Sequence, residues 1–514
     1  MRSVNIREVT IACRLVASLV LACIALSACN KTGSTSRLVD AGSNSNLTWV
    51  EGEYPAYGQY LDRCAAPRTG IDPATGKPYD DKSGSAAHEK FALRGYSHET
   101  YLWAKELTDQ NPTSALNPLE YFDLLKTAED RFHFYVSSED NYRDFILGKP
   151  LGYGITWLRQ HNNDVVVGYV ERNSPAEAAG IVRGDLLVTT DGLSEAQMSL
   201  GQFNDALFPT ANSPSHRFVF KNNLGSLTPE RQLTAVELTV NSVQNISYFS
   251  GSDGRKIAYF SFGSFNGTAE KELINAANEI NRAGAQELIV DIRFNGGGYL
   301  GVAAQLAYIV GGDAISDKRI FSSLRFGPNL PAGSFGNSKT PFLRTTQGYS
   351  RDIPTGQPLP KLNLKRLYVL TSDHTCSASE SLINGLRGVD FPVVQIGSTT
   401  CGKPFGMVPL SNCGYEYYTI NFRYENEKGF SAFEQGIAPR NAEQAQGSPL
   451  GCELHDEFSQ PLGNANEGLL AAALNHIDTG ACASTSLAAP RRLQNPINHP
   501  NPVFSNAIVP RLAF

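Results

Sequence analysis

Thr375-Cys376-Ser377-Ala378-Ser379-Glu380 sets a serine just after the apolar run Leu367 to Leu370, and Lys403 follows that serine by 26 residues within Cys401-Gly402-Lys403-Pro404. A small serine at a strand-to-helix junction, with one lysine returning after the next strand, is the wiring of a serine/lysine hydrolase. A serine hydroxyl is a weak nucleophile at its free pKa, so it needs a neighbouring base and a pocket that accepts the negative charge of a tetrahedral intermediate. Lysine is a base only when deprotonated, and burial disfavours its ammonium form. Thr399 to Gly402 and Pro404 to Gly406 surround Lys403 with small and apolar residues, which suits a lysine kept from water. Cys376 is the rival nucleophile, but it lacks a histidine partner, because His374 falls on the same short turn and reads as structural or solvent-facing. Serines and lysines are most often capping or surface residues, so the pair needs support from elsewhere in the chain.

Glu287 to Arg293 reads as an apolar strand ending in charge, and Phe294-Asn295-Gly296-Gly297-Gly298 then opens a helix running through Leu306. Consecutive glycines make either a plain tight turn or a loop whose N–H groups face an anion at a helix start. With Ser377 also at a strand end, both loops fall on the carboxyl edge of one sheet, where open α/β sheets place their ligands. Asp291 and Arg293 read either as an ion pair holding the glycine loop or as two solvated charges.

These segments together, Ile292 to Gly298, Thr375 to Glu380 and Gly402-Lys403, resemble the S41 family of C-terminal processing (tail-specific) peptidases, and the likeness spans most of the chain beyond its leader. The resemblance implies a multidomain α/β protein with a ClpP/crotonase-like protease core, no metal and no cofactor. It implies Ser377 as nucleophile and Lys403 as general base, although Cys401 stands where the family usually has phenylalanine. Glu380 matches a glutamate that orients the lysine in some members. In others an acidic residue further along the next helix has that role, which here passes to Asp390 or is absent. The implied oxyanion donors are the N–H groups of Ala378 and Gly297. Polypeptides are the implied substrates. A protein that keeps this fold as an inactive peptide-binding or scaffolding lipoprotein, and an esterase or amidase using the same pair, are the competing readings.

Upstream, Leu151 to Ile155, Val165 to Val170, Ser174 to Ile181 and Arg183 to Leu187 alternate short strands with turn residues, as in any small β domain. The same run resembles a PDZ domain, with Gly152, Tyr153, Gly154 and Ile155 as the loop that takes a chain-terminal carboxylate while the peptide adds as an extra strand.

The remaining elements serve to position these loops. Arg2, Arg7 and Arg14 precede a short apolar run, and Leu26-Ser27-Ala28-Cys29 looks like a bacterial lipobox with Cys29 as the lipidated residue. The run is short for a membrane span, so the expected location is the cell envelope, anchored by lipid and facing the periplasm, with Asn30 favouring the outer membrane. Residues 30–48 read as a flexible tether, 49–147 as an N-terminal helical domain, 148–245 as the PDZ-like domain and 246–445 as the protease core. A C-terminal helical segment, 446–485, and an extended tail, 486–514, complete the chain. The aromatics of Tyr101 to Trp103, Tyr121 to Leu125 and Phe132 to Tyr135 read as helical core, and residues 325–360 as a long surface loop near the cleft.

Of nine cysteines, Cys13, Cys23 and Cys29 belong to the leader, leaving Cys64, Cys376, Cys401, Cys413, Cys452 and Cys482. An even number in an exported protein predicts disulfides. The expected bonds are Cys452 with Cys482, and Cys401 with either Cys413 or Cys376, the latter bracing the catalytic turn. Close cysteine pairs typical of zinc are missing. A net charge of -6 without a basic stripe argues against nucleic acid as a partner.

Overall fold

The computed structural model describes residues 47–482 apart from 161, 210–213, 337 and 441–448. The leader, the lipobox with Cys29, most of the tether and the 486–514 tail lie outside the described residues. Among the described residues no helix is long and apolar enough to cross a membrane.

The N-terminal region carries helix α1 (Ala86–Thr100), helix α2 (Pro118–Asp123) and strand β1 (Phe134–Ser137). Pro118 occupies the first turn of α2 behind an Asn117 cap whose side chain accepts from the Leu119 and Glu120 amides, satisfying donors that a helix start leaves open. The region is less helical than its periodicity suggests. Tyr101 to Trp103 lie beyond the end of α1, and Phe134 to Ser137 form a strand because they find a partner, pairing antiparallel with Tyr415 to Tyr418 far along the chain.

The second module is a five-stranded antiparallel sheet of β2 (Ile155–Arg159), β3 (Val165–Val170), β4 (Leu186–Thr190), β5 (Ser215–Lys221) and β6 (Arg231–Thr234), with helix α3 (Leu200–Leu207) between β4 and β5. Trp157, Val167, Phe203, Phe218 and Leu233 fill its own core.

The central sheet runs β7-β8-β9-β12-β13-β18 and is parallel from β8 onward. Its first part comprises β7 (Val243–Ser250), β8 (Lys256–Phe262), helix α4 (Ala269–Ala283), β9 (Glu287–Asp291) and helix α5 (Leu300–Gly311). After β10 (Ile320–Phe326) and β11 (Lys339–Pro341) come β12 (Leu367–Thr371), helix α6 (Ala378–Gly388) and β13 (Val393–Gly397). Short strands β14 (Phe405–Gly406), β15 (Leu410–Asn412), β16 (Tyr415–Tyr418) and β17 (Phe422–Glu425) precede β18 (Leu450–Glu453) and helix α7 (Gly468–Thr479). Because successive strand residues point to opposite faces, Ala258, Phe260, Leu288 and Val290 pack with α4, α5 and α6. Ile257, Tyr259, Ile289 and Leu370 pack with α7 on the other face. The result is a mixed α/β core, the expected class, with helices on both sides of the sheet. The reading of 325–360 as one long loop is corrected in part, since β10 and β11 pair across it.

At the carboxyl end of β9, Arg293 is buried and forms a pair with Asp291, a fork with Glu467 at 2.7 and 2.9 Å, and a 3.2 Å contact with Asp456. Arg183 of the second module reaches the same Asp456. Replacing Arg293 by methionine leaves Asp291 without its cation and Glu467 and Asp456 with only Arg183, and removing one partner of such a cluster costs about 3–5 kcal/mol. The expected outcome is a loss of that size in urea denaturation, with no measurable change for Lys428→Ala, whose pair with Asp390 is at the surface.

Candidate active site

The parallel pairing of β9 with β12 sets Asp291 opposite Leu370, so the loops that follow the two strands leave the sheet side by side. They are knitted together at once. Ile292 N–H donates to the Leu370 carbonyl at 3.0 Å, Thr375 Oγ1 to the Ile292 carbonyl at 2.9 Å, and Cys376 N–H to the Asn295 carbonyl at 3.0 Å. Gly297 approaches the serine so closely that a Cβ there would lie 2.9 Å from Ser377 Cβ and 3.0 Å from the Ala378 nitrogen. Only glycine fits.

Ser377, 4% exposed, precedes α6 with φ +56° and ψ -112°. A non-glycine residue in such backbone costs about 1–3 kcal/mol and persists only where its surroundings over-determine it. The surroundings do so through Glu380. This fully buried carboxylate accepts from Ser377 N–H at 2.9 Å and Lys403 N–H at 2.8 Å on one oxygen, and from Gly402 N–H at 2.8 Å and Thr400 Oγ1 at 2.5 Å on the other. Burial raises its pKa, and these donors oppose the rise. Tyr424 completes the fastening, its hydroxyl shared between the carbonyls of Ser377, 3.0 Å, and Lys403, 2.7 Å. Gly402 holds φ +82° with the Glu434 carbonyl where a side chain would stand, and Cys376 is bonded to Cys401 across the two loops.

Lys403 has no solvent exposure. Its Nζ lies 3.8 Å from Met407 Sδ and 4.8 Å from the centre of the Phe132 ring, and among the described residues it donates to no oxygen. Burial brings its pKa down to about 7, against the pull of the Asp130 and Glu380 carboxylates and with Arg131 adding to the fall. Asp130 is itself buried, accepting from Phe132 N–H, His133 N–H and the Tyr101 hydroxyl. Arg131 donates to the Cys401 carbonyl at 2.7 Å. The N-terminal region thus forms one wall of the lysine chamber, and Phe132 is part of that wall rather than of a helical stripe.

Beside Ser377 opens a small recess lined by Gly298, Leu300, Ala378, Phe405, Met407 and Phe422 among others. It is apolar and abuts both the serine and the methionine that holds Nζ. Ser377 and Ala378 at the start of α6 line it, and the Ala378 amide has no acceptor within the helix.

Several expectations need correction in the light of these contacts. Glu380 touches Lys403 through the main-chain N–H, not through the ammonium. Asp390 is at the surface, paired with Lys428, because the chain turns outward at the end of α6. The Gly297 N–H donates to Asn295 Oδ1 at 2.8 Å, whereas Gly298 lines the recess. Cys376, Glu380 and Cys401 lie close enough to share an ion, but two of the three are joined as a disulfide and offer no thiolate. Cys376 is likewise no free nucleophile, and His374 stands half-exposed beside Asp373. The other bonds among the described residues are Cys452 to Cys482, as expected, and Cys64 to Cys413, which rules out Cys413 as the partner of Cys401. Leu151 and Gly152 pair antiparallel with Val236 and Glu237, the Tyr153 side chain is buried in the second module, and Gly154 packs on Ser174 with φ +82° before β2 begins at Ile155. Asp130 and Tyr424 had no sequence signal, and Phe132 was singled out only as part of an aromatic run read as core, since each gains its role from contacts across the fold.

Residues 256–441 match the family model for peptidase family S41. The chain is 27% identical over 301 residues to a chloroplastic C-terminal processing peptidase of Tetradesmus obliquus, covering 56% of this chain and 59% of that protein. It is 22% identical to the carboxy-terminal processing protease CtpA of Bacillus subtilis, covering 54% and 53%. It spans about half the length of the curated relatives it matches. A structure assigned to the S41 proteases from Bacteroides fragilis shares the fold, with a TM-score of 0.57 at 20% identity over 75% of this chain and 96% of that one.

Exchanging Glu380 for glutamine sets an amide NH2 against buried N–H donors, and a buried donor left unpaired costs about 1–3 kcal/mol. Glu380→Gln is expected to lose at least that much stability in urea denaturation, while Glu434→Gln, whose side chain is not in the clamp, is expected to keep the wild-type midpoint.

Proposed function

The chain carries a peptidase family S41 domain over residues 256–441, and from that premise we propose that it is a serine endopeptidase that cleaves polypeptides near their C-termini through Ser377 and Lys403. The observation that supports the reading is that a strained serine lining the recess and a fully buried lysine whose pKa is brought to about 7 have their main chains fastened to one carboxylate and one tyrosine hydroxyl.

Ser377 Oγ attacks the peptide carbonyl carbon, and neutral Lys403 takes the hydroxyl proton. To do so Nζ turns from Met407 toward Oγ, a motion the flexible lysine stem allows. Catalytic hydrogen bonds that are loose in a free enzyme commonly close only with substrate. The oxyanion falls before the Ala378 N–H, with Gly298 of the glycine run as the second donor in place of Gly297, whose N–H is held by Asn295. Lys403 then returns the proton to the leaving amine, and water hydrolyses the acyl-enzyme. Glu380 serves as a positioning residue. The Gly152 to Ile155 segment and the antiparallel module behind it are suited to holding an extended chain end as an added strand. Three disulfides and the lipobox at Cys29 support an oxidising envelope location.

A second reading, an inactive peptide-binding lipoprotein, is favoured by the contact of Nζ with Met407 rather than Ser377. Labelling by a fluorophosphonate separates the two. The expected result is one adduct at Ser377, absent in Ser377→Ala and Lys403→Ala, while no adduct on a folded wild-type protein supports the inactive reading. Because the free base is the active form, the labelling rate should fall as pH drops through about 7 and level off above it.

The recess sets the side chain next to the cleaved bond. A charged side chain there loses water without gaining a partner, so peptides with alanine, valine or leucine at that position are expected to exceed those with aspartate or lysine by about 100-fold in kcat/KM. Equal rates across such a panel would exclude the recess as the specificity pocket.

A further inference from the structure

The Cys376–Cys401 bond lies closer to the reacting groups than either other disulfide. Cys376 is the residue before Ser377, and Cys401 is two before Lys403, so a single covalent link spans the serine loop and the lysine loop. The link is parallel to the Glu380 clamp and lies on its flank. Cys376 N–H is tied to the Asn295 carbonyl of the glycine loop, Cys401 N–H to the Thr375 carbonyl, and the Cys401 carbonyl to Arg131 of the N-terminal region. Three loops that build the site therefore meet at this one bond. Cys376 is buried and Cys401 is partly exposed, with its Sγ 3.6 Å from a Glu380 carboxylate oxygen, so Cys401 is the side of the bond nearer to solvent. The serine it adjoins holds positive φ against its intrinsic preference, and that conformation depends on restraint from both sides.

We propose that the Cys376–Cys401 disulfide is a positioning element of the catalytic centre and a thiol-sensitive switch on it, the oxidised form being competent and the reduced form not. The inference rests on the reading of Ser377 and Lys403 as the catalytic pair. Opening takes two electrons from a dithiol. Its thiolate attacks the Cys401 sulfur and releases the Cys376 thiolate. Its second thiolate then attacks the mixed disulfide and releases Cys401, so the dithiol leaves as a cyclic disulfide and both cysteines end as thiols. Without the bond the serine loop relaxes toward ordinary backbone and water reaches the lysine chamber.

The test uses the lipid-free protein with all six of these cysteines, treated with graded dithiothreitol, alkylated to map which bonds have opened, and assayed by fluorophosphonate labelling of Ser377 across pH. The expected result is a loss of at least about tenfold in labelling rate, in keeping with misplacement of a reacting group by a fraction of an ångström, that tracks the opening of Cys376–Cys401. The pH midpoint should move upward from about 7 as the lysine is hydrated, and reoxidation should restore both. Cys376→Ala/Cys401→Ala should show the reduced behaviour without reductant, and Cys452→Ala/Cys482→Ala should behave as wild type. If the double variant at the site fails to fold, reversible reduction of the wild type decides alone. An unchanged rate with the bond open overturns the inference, as does a loss that follows another disulfide or leaves the pH midpoint fixed. No labelling in the oxidised protein overturns the serine/lysine reading and this inference with it.

Discussion

Glu380 is a carboxylate without a cation, fully buried, and the site depends on how that cost is met. Its partners are almost all main-chain N–H groups, drawn from the residue that starts α6 and from the loop after β13. A charge in low dielectric strengthens each of these bonds, so the two loops are gathered around it. Main-chain donors fix the backbone rather than the side-chain tips. Ser377 and Lys403 are thereby given fixed points of main-chain attachment. Tyr424 mirrors the arrangement from the carbonyl side.

The sheet makes this possible by arithmetic of position. Parallel strands β9 and β12 end level with one another, each followed by a loop and a helix, so two loops distant in sequence share an edge. The Arg293 cluster stiffens that edge from beneath, joining the end of β9 to the segment before α7. On the far side, Asp130 to Phe132 close over the lysine. A lysine left open to water there would stay an ammonium at neutral pH, and its enclosure by an aromatic ring and a thioether is what brings the free base within reach.

Much of this was legible in the chain. Apolar runs of strand length that end in Arg293 or Ser372, followed by glycine or by Ser-Ala-Ser-Glu, announce strand, loop and helix by local chemistry alone. Ser377, Lys403 and the glycine run lie on such elements, while the roles of Glu380 and Gly297 came from the family resemblance. Asp130 and Phe132 were not legible, because a short aromatic run with charge reads as amphipathic helix until its strand partner, Tyr415 to Tyr418, is known. The direction of Nζ was also hidden, since it depends on where Met407 and Phe132 come to rest. Gly297 looked like the oxyanion donor by sequence, but an asparagine two residues earlier reaches its amide. Local side-chain capture of a backbone donor is common for asparagine and gives a specific reason to doubt such an assignment.

The disulfides have a consequence for how the chain reaches this state. Cys64 is joined to Cys413 across 349 residues, and that loop encloses the Cys376–Cys401 bond entirely. A chain delivered from its N-terminus presents Cys64 first, then Cys376, then Cys401, with the true partner of Cys64 last of the four. Pairing in order of arrival joins Cys64 to Cys376, which blocks the serine loop. The native pattern is nested, so it is reached if Cys64 stays unpaired, or its early bonds stay exchangeable, until Cys413 appears. Maturation of this protein is therefore a question of thiol traffic and timing, with an isomerase or a slow oxidant favouring correct assembly and a fast, irreversible oxidant trapping the wrong knot.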